Sequence, residues 1–182
     1  MPQEADIRNV ERDYFYIRCV WAVVYVSYPY NSKGVKMKVD VLISHIVFLA
    51  LVVWREARGE SILGQTAVAH SVLNRVHKPG WWGTDIMSVV FKKWQYSSMT
   101  DPHDPQLTAW PKNDSVWQQC LQVAWDVVYG MSENPAPGSD SYFDDSISPP
   151  KWATLETFVR KIGRLSFYNV DRDTEVIPGV MK

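Results

Sequence analysis

A single α+β domain, predominantly α-helical, is the fold class that the sequence predicts, on three observations. The chain has 182 residues, within the roughly 100–200 residues of one domain. Hydrophobic residues make up 46% and charged residues 21%, which supports a buried core and excludes the disordered and disulfide-framework classes. Apolar residues recur at helical spacing in several segments, and a β-rich segment follows them near the C-terminus.

The elements follow in order. Residues 1–13 are polar and acidic, with Glu4, Asp6, Glu11 and Asp13, and lack the basic start of a secretory signal. Tyr14 to Tyr30 is apolar and aromatic, but contains Arg18 and is shorter than the ~20 residues of a spanning helix. Its Val23, Val24, Tyr25 and Val26 favour a peripheral strand, and no stable membrane insertion is expected. Because Met37 follows the turn-rich stretch Pro29 to Gly34, residues 1–36 are read as an extension and residues 37–182 as the functional domain.

Val41 to Trp54 is nearly unbroken apolar sequence with Asp40 placed to cap it, which fits a buried helix, and Gly59 breaks the run. Ser61 to Lys78 carries Val68, Val72 and Val76 at steps of four beside Leu73, an amphipathic helix closed by Pro79 and Gly80. Trp81 to Asp85 reads as a turn and Ile86 to Lys93 as a short helix. Trp94 to Asn113 holds Pro102, Pro105 and Pro111 without periodicity and is expected to be a long, functional loop. Ser115 and Gln118 make an S-x-x-Q capping box for a helix through Trp117, Leu121, Ala124 and Val128 that Gly130 stops. Glu133 to Pro150 reads as irregular, Thr154 to Ile162 as a last helix, and Leu165 to Val170 as a strand.

Composition narrows the function. Nineteen basic against twenty acidic side chains leave a net charge of -1, so nothing draws the chain to a phosphate backbone and no nucleic-acid partner is expected. Nine Trp and nine Tyr are unusually many, and flat amphipathic rings stack against sugar faces as well as filling cores. Cys19 and Cys120 allow a single bridge, which is not a disulfide framework, and Cys120 falls on an apolar helical face as an inert core thiol. His45, His70, His77 and His103 show no metal-ligand spacing, so neither a metal nor another cofactor is expected.

The chemistry concentrates at Glu56, which follows the buried apolar run in Arg55-Glu56-Ala57-Arg58-Gly59-Glu60. A carboxyl that loses water at the end of a buried helix has a raised pKa and can serve as a general acid for glycoside cleavage. The competing reading is an ion pair with Arg55 or Arg58, which would lower that pKa instead. Glu60 shares a face with Glu56 only if the helix continues through Gly59, so it is placed in a supporting role.

Glu56-Ala57-Arg58-Gly59-Glu60, Gly64-Gln65, Ala67-Val68-Ala69 and Leu73-Asn74-Arg75-Val76 resemble, in order and spacing, the signature of the cell-wall hydrolase family typified by the spore cortex-lytic enzyme SleB. Gln95-Tyr96-Ser97 is similar to its Gln-Phe-Ser segment, Pro150-Lys151-Trp152-Ala153 to its Pro-x-Trp-Ala, and Ile162-Gly163 with Phe167-Tyr168 to its closing motif. The resemblance spans about residues 40–170. It implies a lysozyme-like, lytic-transglycosylase-like catalytic domain acting on peptidoglycan glycan strands, with Glu56 performing both proton transfers and no metal required.

Under that resemblance Gln95, Tyr96, Ser97, Tyr142 and Tyr168 are expected to bind substrate, with backbone capping or core packing as the alternative for each. Trp81, Trp82 and Trp110, in loops, are candidates for sugar stacking. Trp54, Trp117 and Trp125 are expected in the core, and Trp152 in a structural role. Ser141 and Leu165 stand where many members of the family have histidine, so any substrate contact made by those histidines is absent here. The segment Asp140 to Ile147 departs from the pattern and, with the acidic start, suggests a bacteriophage lysis enzyme. Such an enzyme is made in the host cytoplasm, acts at the wall after release through a separate pore, and is expected to be a monomer; a weak tether through Tyr14 to Tyr30 is the alternative. A muramidase would need a second carboxylate, with Asp101, Asp104, Asp144 and Asp145 available, and a non-catalytic wall-binding or virion module remains the non-enzyme alternative.

Overall fold

The computed structural model describes residues 43–78 and 81–171. The expectations for residues 1–36, for Asp40 and Met37, and for Cys19 lie outside them. Among the described residues five helices, α1 (Ile43–Ala57), α2 (Ile62–His77), α3 (Ile86–Val90), α4 (Ser97–Thr100) and α5 (Ser115–Val128), precede three strands, β1 (Ser141–Asp144), β2 (Phe158–Ile162) and β3 (Leu165–Tyr168).

α1 is the centre of the helical layer because it is apolar on nearly every side, the pattern of a helix with no solvent face. Leu49, Val52 and Val53 are fully buried, and the other four helices all pack against α1. Val68 and Val72 of α2, Val89 and Val90 of α3, and Cys120 and Ala124 of α5 complete that core. Burial pushes the Cys120 thiol up to about 11, consistent with the inert role expected of it.

α2 begins where Ser61 Oγ accepts the Gly64 N–H at 3.3 Å. The first residue of α5 does not cap it, contrary to the Ser115 reading: Asp114 Oδ1 accepts the Trp117 N–H at 3.0 Å, one position earlier. At the other end Gly130 turns left-handed (φ 66°), and the Met131 N–H bonds the Asp126 carbonyl at 2.7 Å, the doubled-back geometry that glycine permits at a helix stop. α3 is shorter than expected, ending at Val90, and the long loop after it contains the single turn of α4.

Two expectations about the C-terminal third are corrected. Thr154 to Ile162 is not a helix: residues 154–157 form a turn held by the Thr157 Oγ1 bonds to the Trp152 and Thr154 carbonyls, and Phe158–Ile162 is β2. β2 pairs antiparallel with β3, and pairing with a neighbour outweighs local helix propensity. Likewise the irregular stretch Glu133 to Pro150 contains β1, which pairs antiparallel with the other edge of β3, so the sheet order is β1-β3-β2. The register sets Tyr142 against Phe167 and Asp144 against Leu165. All four residues of β3 are buried, as a central strand requires.

Candidate active site

α1 runs through Ala57, so Glu56 lies in its last turn, partly buried. Neither neighbouring arginine pairs with it. Arg55, 7% exposed, donates to the carbonyls of Ser98 (2.7 Å), Leu107 (2.8 Å) and Ala109 (3.1 Å), and Arg58 donates to the Trp54 carbonyl and to Gln106 Oε1. Among the described residues no cation makes a direct ion pair with Glu56.

What Glu56 receives instead is two hydroxyl donors. Ser98 Oγ on α4 donates to Oε1, and Tyr142 on β1 donates its phenolic hydrogen to Oε2 at 3.3 Å. Burial raises the Glu56 pKa above its ordinary value, the Ser98 and Tyr142 bonds and the Arg75 charge oppose that rise, and the Asp104 charge adds to it. Burial also pushes the Tyr142 hydroxyl well up, with the adjacent Glu56 charge acting the same way, so Tyr142 stays a donor.

Ser98 was not among the expected site residues, although the Gln95-Tyr96-Ser97 segment stops one residue short of it. Ser97 faces outward and donates to Asp104 Oδ2 at 2.6 Å. Tyr96 is 3% exposed, packs on Arg75 and accepts the α4 N–H groups of Met99 and Thr100 on its carbonyl, so it anchors the turn rather than presenting itself to a ligand. Gln95 lines an open cleft.

Glu60 stands apart from Glu56, because α1 ends at Ala57 and the Glu60 N–H closes a turn onto the Ala57 carbonyl. Its carboxylate takes the Arg164 Nε at 3.0 Å and lies against Gly163 in the β2–β3 turn. Gly163 has φ 58°, the left-handed conformation that favours glycine, and a Cβ built there would come within 2.3 Å of Glu60 Oε2 and displace that carboxylate. Of the four candidate second carboxylates, Asp104 is the one whose charge acts on Glu56. Asp101 caps the His103 N–H, whereas Asp144 and Asp145 engage Arg164 and Lys161 at the sheet.

The cleft, about 420 Å³, is walled by Trp81, Trp82 and Trp94, and Tyr142 both lines it and bonds the Glu56 carboxyl. Tyr168 is not on its wall: it is 9% exposed within an aromatic cluster with Phe143, Trp152 and Phe158, so the core-packing alternative describes it. Trp152 joins that cluster and also lines the cleft. Trp82 is 5% exposed and Trp110 67%, so of the loop tryptophans expected to meet sugars Trp82 offers little surface. Trp125 is 37% exposed rather than core.

A second group absent from the sequence reading holds the cleft together. Asp140, fully buried, accepts from Lys78 Nζ (2.5 Å), Ser141 Oγ (2.9 Å) and the N–H groups of Val170 (3.0 Å) and Asp171 (2.9 Å). Asp171 in turn accepts the Trp82 Nε1–H at 2.6 Å. Ser141, at one position where histidine was expected of the pattern, therefore gives its hydroxyl to Asp140, and Leu165, at the other, is core.

Residues 59–168 match the cell wall hydrolase family, a span that starts three residues after Glu56. A spore cortex-lytic enzyme of Bacillus cereus is 28% identical over 139 residues, covering 76% of this chain and 49% of that protein. One from Halalkalibacterium halodurans is 27% identical over 124 residues, 68% of this chain and 34% of that protein. The chain thus spans about half or less of the length of these relatives. Among solved structures, the catalytic domain of the germination-specific lytic transglycosylase SleB from Bacillus anthracis matches with a TM-score of 0.57 and 26% identity, over 70% of this chain and 96% of that domain. The catalytic domain of Bacillus cereus SleB matches with a TM-score of 0.55 and 27% identity, over 68% and 88%. The fold is therefore the α+β, lytic-transglycosylase-like fold of these catalytic domains, and the chain belongs to the cell wall hydrolase family.

Proposed function

We propose that this chain cleaves peptidoglycan glycan strands between N-acetylmuramic acid and N-acetylglucosamine by lytic transglycosylation, with Glu56 as the one acid and base. The observation that carries the proposal is the state of Glu56: partly buried, without a direct cationic partner among the described residues, and hydrogen-bonded by Ser98 and Tyr142. Burial favours the protonated carboxyl, the form that can give a proton away, and the two hydroxyls then steady the carboxylate that results.

In the first step the Glu56 proton passes to the bridging glycosidic oxygen as the bond from the muramic C1 breaks, leaving oxocarbenium-like charge on the sugar. In the second, the Glu56 carboxylate takes the proton of the muramic 6-hydroxyl while its oxygen bonds to C1 and closes a 1,6-anhydro ring. General acid-base assistance of this kind supplies about 10² to 10⁴-fold, and positioning must supply the rest.

A second reading has one specific observation in its favour. The Asp104 carboxylate, held by Ser97, acts electrostatically on Glu56, as the second carboxylate of a muramidase would. The biological setting we favour is phage-type host lysis, supported by the departure of Asp140 to Ile147 from the pattern of the spore enzymes. Lysis of a bacterial host that expresses the chain, dependent on a co-expressed membrane pore, tests it.

Mass spectrometry of fragments released from purified peptidoglycan by wild type and by folded Glu56→Gln separates the chemical readings. Anhydro-muropeptides from wild type alone are expected. Reducing ends carrying an added water, lost in Asp104→Asn, would establish the muramidase instead, and no release by wild type would leave a binding module.

A further inference from the structure

We propose that Trp81 and Trp94 form an outlying sugar subsite, which grips an N-acetylhexosamine ring of the glycan strand away from Glu56 and makes the chain prefer long strands to short ones. The subsite deepens the proposed function and rests on it for the identity of the occupant.

Trp94 is the most telling residue. Its backbone is left-handed (φ 71°), a conformation that bulky residues rarely adopt, and among the described residues it is the one non-glycine with positive φ. Nothing in the core needs its ring, which is 78% exposed and meets Lys93 Nζ at 4.8 Å. A strained backbone that displays a large apolar ring at the wall of a cleft is the pattern of a ligand contact, because folding alone would favour glycine there.

Trp81 supplies a second, immobilised surface. It is 53% exposed, and its ring stacks on Trp82 with centroids 4.2 Å apart. Trp82 is itself fixed, by its Nε1 bond to Asp171 and by the Arg75 guanidinium 4.5 Å from its ring. A ring held in place before the ligand arrives loses little freedom on binding.

The occupant follows from what the cleft combines. Indole faces suit the C–H faces of a pyranose, and Gln95, whose side-chain amide makes no hydrogen bond with the described residues, can meet an acetamido group or ring hydroxyl. The cleft volume of about 420 Å³ lies in the ~300–1,000 Å³ range of small-ligand sites. Tyr142 lies on its wall and bonds Glu56, so the two tryptophans and the carboxyl are placed on either side of one shared residue.

The test uses Glu56→Gln, which binds without turnover, titrated with a soluble β-1,4 oligomer of N-acetylglucosamine and followed by tryptophan fluorescence. Adding Trp94→Gly removes the ring and relaxes the backbone together, so the expected result is binding weakened about tenfold with an unchanged or higher melting temperature. Trp81→Ala in the same background is expected to weaken binding similarly. In the active chain, Trp94→Gly should raise KM on long strands more than it lowers kcat, with little change on fragments too short to span from Glu56 to the two rings. Unchanged oligomer affinity in both variants, or an effect confined to free stem peptides, overturns the subsite. If wild type binds the oligomer through these rings yet releases no fragments, the catalytic reading fails and the subsite stands.

Discussion

Arg55 Nη1 donates to the Ser98 carbonyl at 2.7 Å, and the Ser98 hydroxyl donates to Glu56, the residue beside Arg55 in the same helix. Two consecutive residues of α1 thus hold one residue of α4 by its backbone and by its side chain. The carboxyl and its donor are positioned by the same helix end, which is how a loop residue 42 positions away acquires a fixed geometry.

Ser98→Ala is therefore expected to impair catalysis while sparing the fold. The Ser98 bond favours the ionised carboxylate, so its removal lets burial raise the Glu56 pKa further. The loss of activity on the alkaline side, where the acid is deprotonated, should move to higher pH. Turnover should fall by roughly 10- to 100-fold, the equivalent of a hydrogen bond to a charged group at ~1.5–3 kcal/mol. A pH–rate profile on purified sacculi measures both, and an unmoved alkaline limb would show that Ser98 does not govern Glu56.

Arg55→Lys is expected to loosen the loop rather than alter the chemistry directly. The guanidinium forks across the carbonyls of Ser98, Leu107 and Ala109 and lies 5.3 Å from the Trp110 ring, contacts that a single ammonium cannot reproduce. A loss of about 2–4 kcal/mol in urea unfolding is expected. Hydrogen exchange at residues 98–110 should rise with it, and a stability equal to wild type would argue against the clamp.

The sequence made the helical layer legible because α1 is a nearly unbroken apolar run, α2 and α5 each bury a face that repeats at helical spacing, and the closing glycine and proline signals fall where the helices stop. It hid the sheet. β2 is an edge strand whose Arg160 and Lys161 are exposed, so Thr154 to Ile162 carries helix-forming residues and its strand state comes from pairing with β3. Glu56 could be picked out as a lone carboxylate ending an apolar helix. Ser98 could not, since what distinguishes it from Ser97 is which side of a single helical turn faces Glu56. Asp140 and Lys78 were equally hidden, because 62 positions separate them and each looks like an ordinary surface charge.

Glu56 should also weaken the fold at neutral pH. A carboxyl whose pKa is raised in the folded state binds more protons folded than unfolded, so stability falls as pH climbs from the ordinary value of 4.5 toward the folded value and stays lowered above it. Glu56→Gln removes that penalty while retaining an oxygen for Ser98. It is expected to melt above wild type at pH 7, with the gap closing as the pH drops below 4.5. Thermal melts across that range check the sign, and a variant less stable than wild type at pH 7 would mean that the bonds to the carboxylate outweigh its burial.

The Lys78–Asp140 pair is expected to matter through what each partner leaves behind. Asp140 is fully buried, and Lys78 Nζ also donates to Asn169 Oδ1 at 2.6 Å and to the Asp171 carbonyl at 2.7 Å. Lys78→Met strands a buried carboxylate and should cost about 3–5 kcal/mol. Asp140→Asn keeps the shape but removes the charge that the ammonium faces, and should cost less. The double variant should be less destabilised than the two losses added together, by more than about 1 kcal/mol, since the second change removes the stranded charge created by the first. Because the same pair holds Asp171, and Asp171 holds Trp82, the singles should also disturb the Trp81–Trp82 stack and change the tryptophan fluorescence of the folded protein. Urea titrations of the four proteins measure the coupling, and strictly additive losses would show that the two residues stabilise the cleft independently.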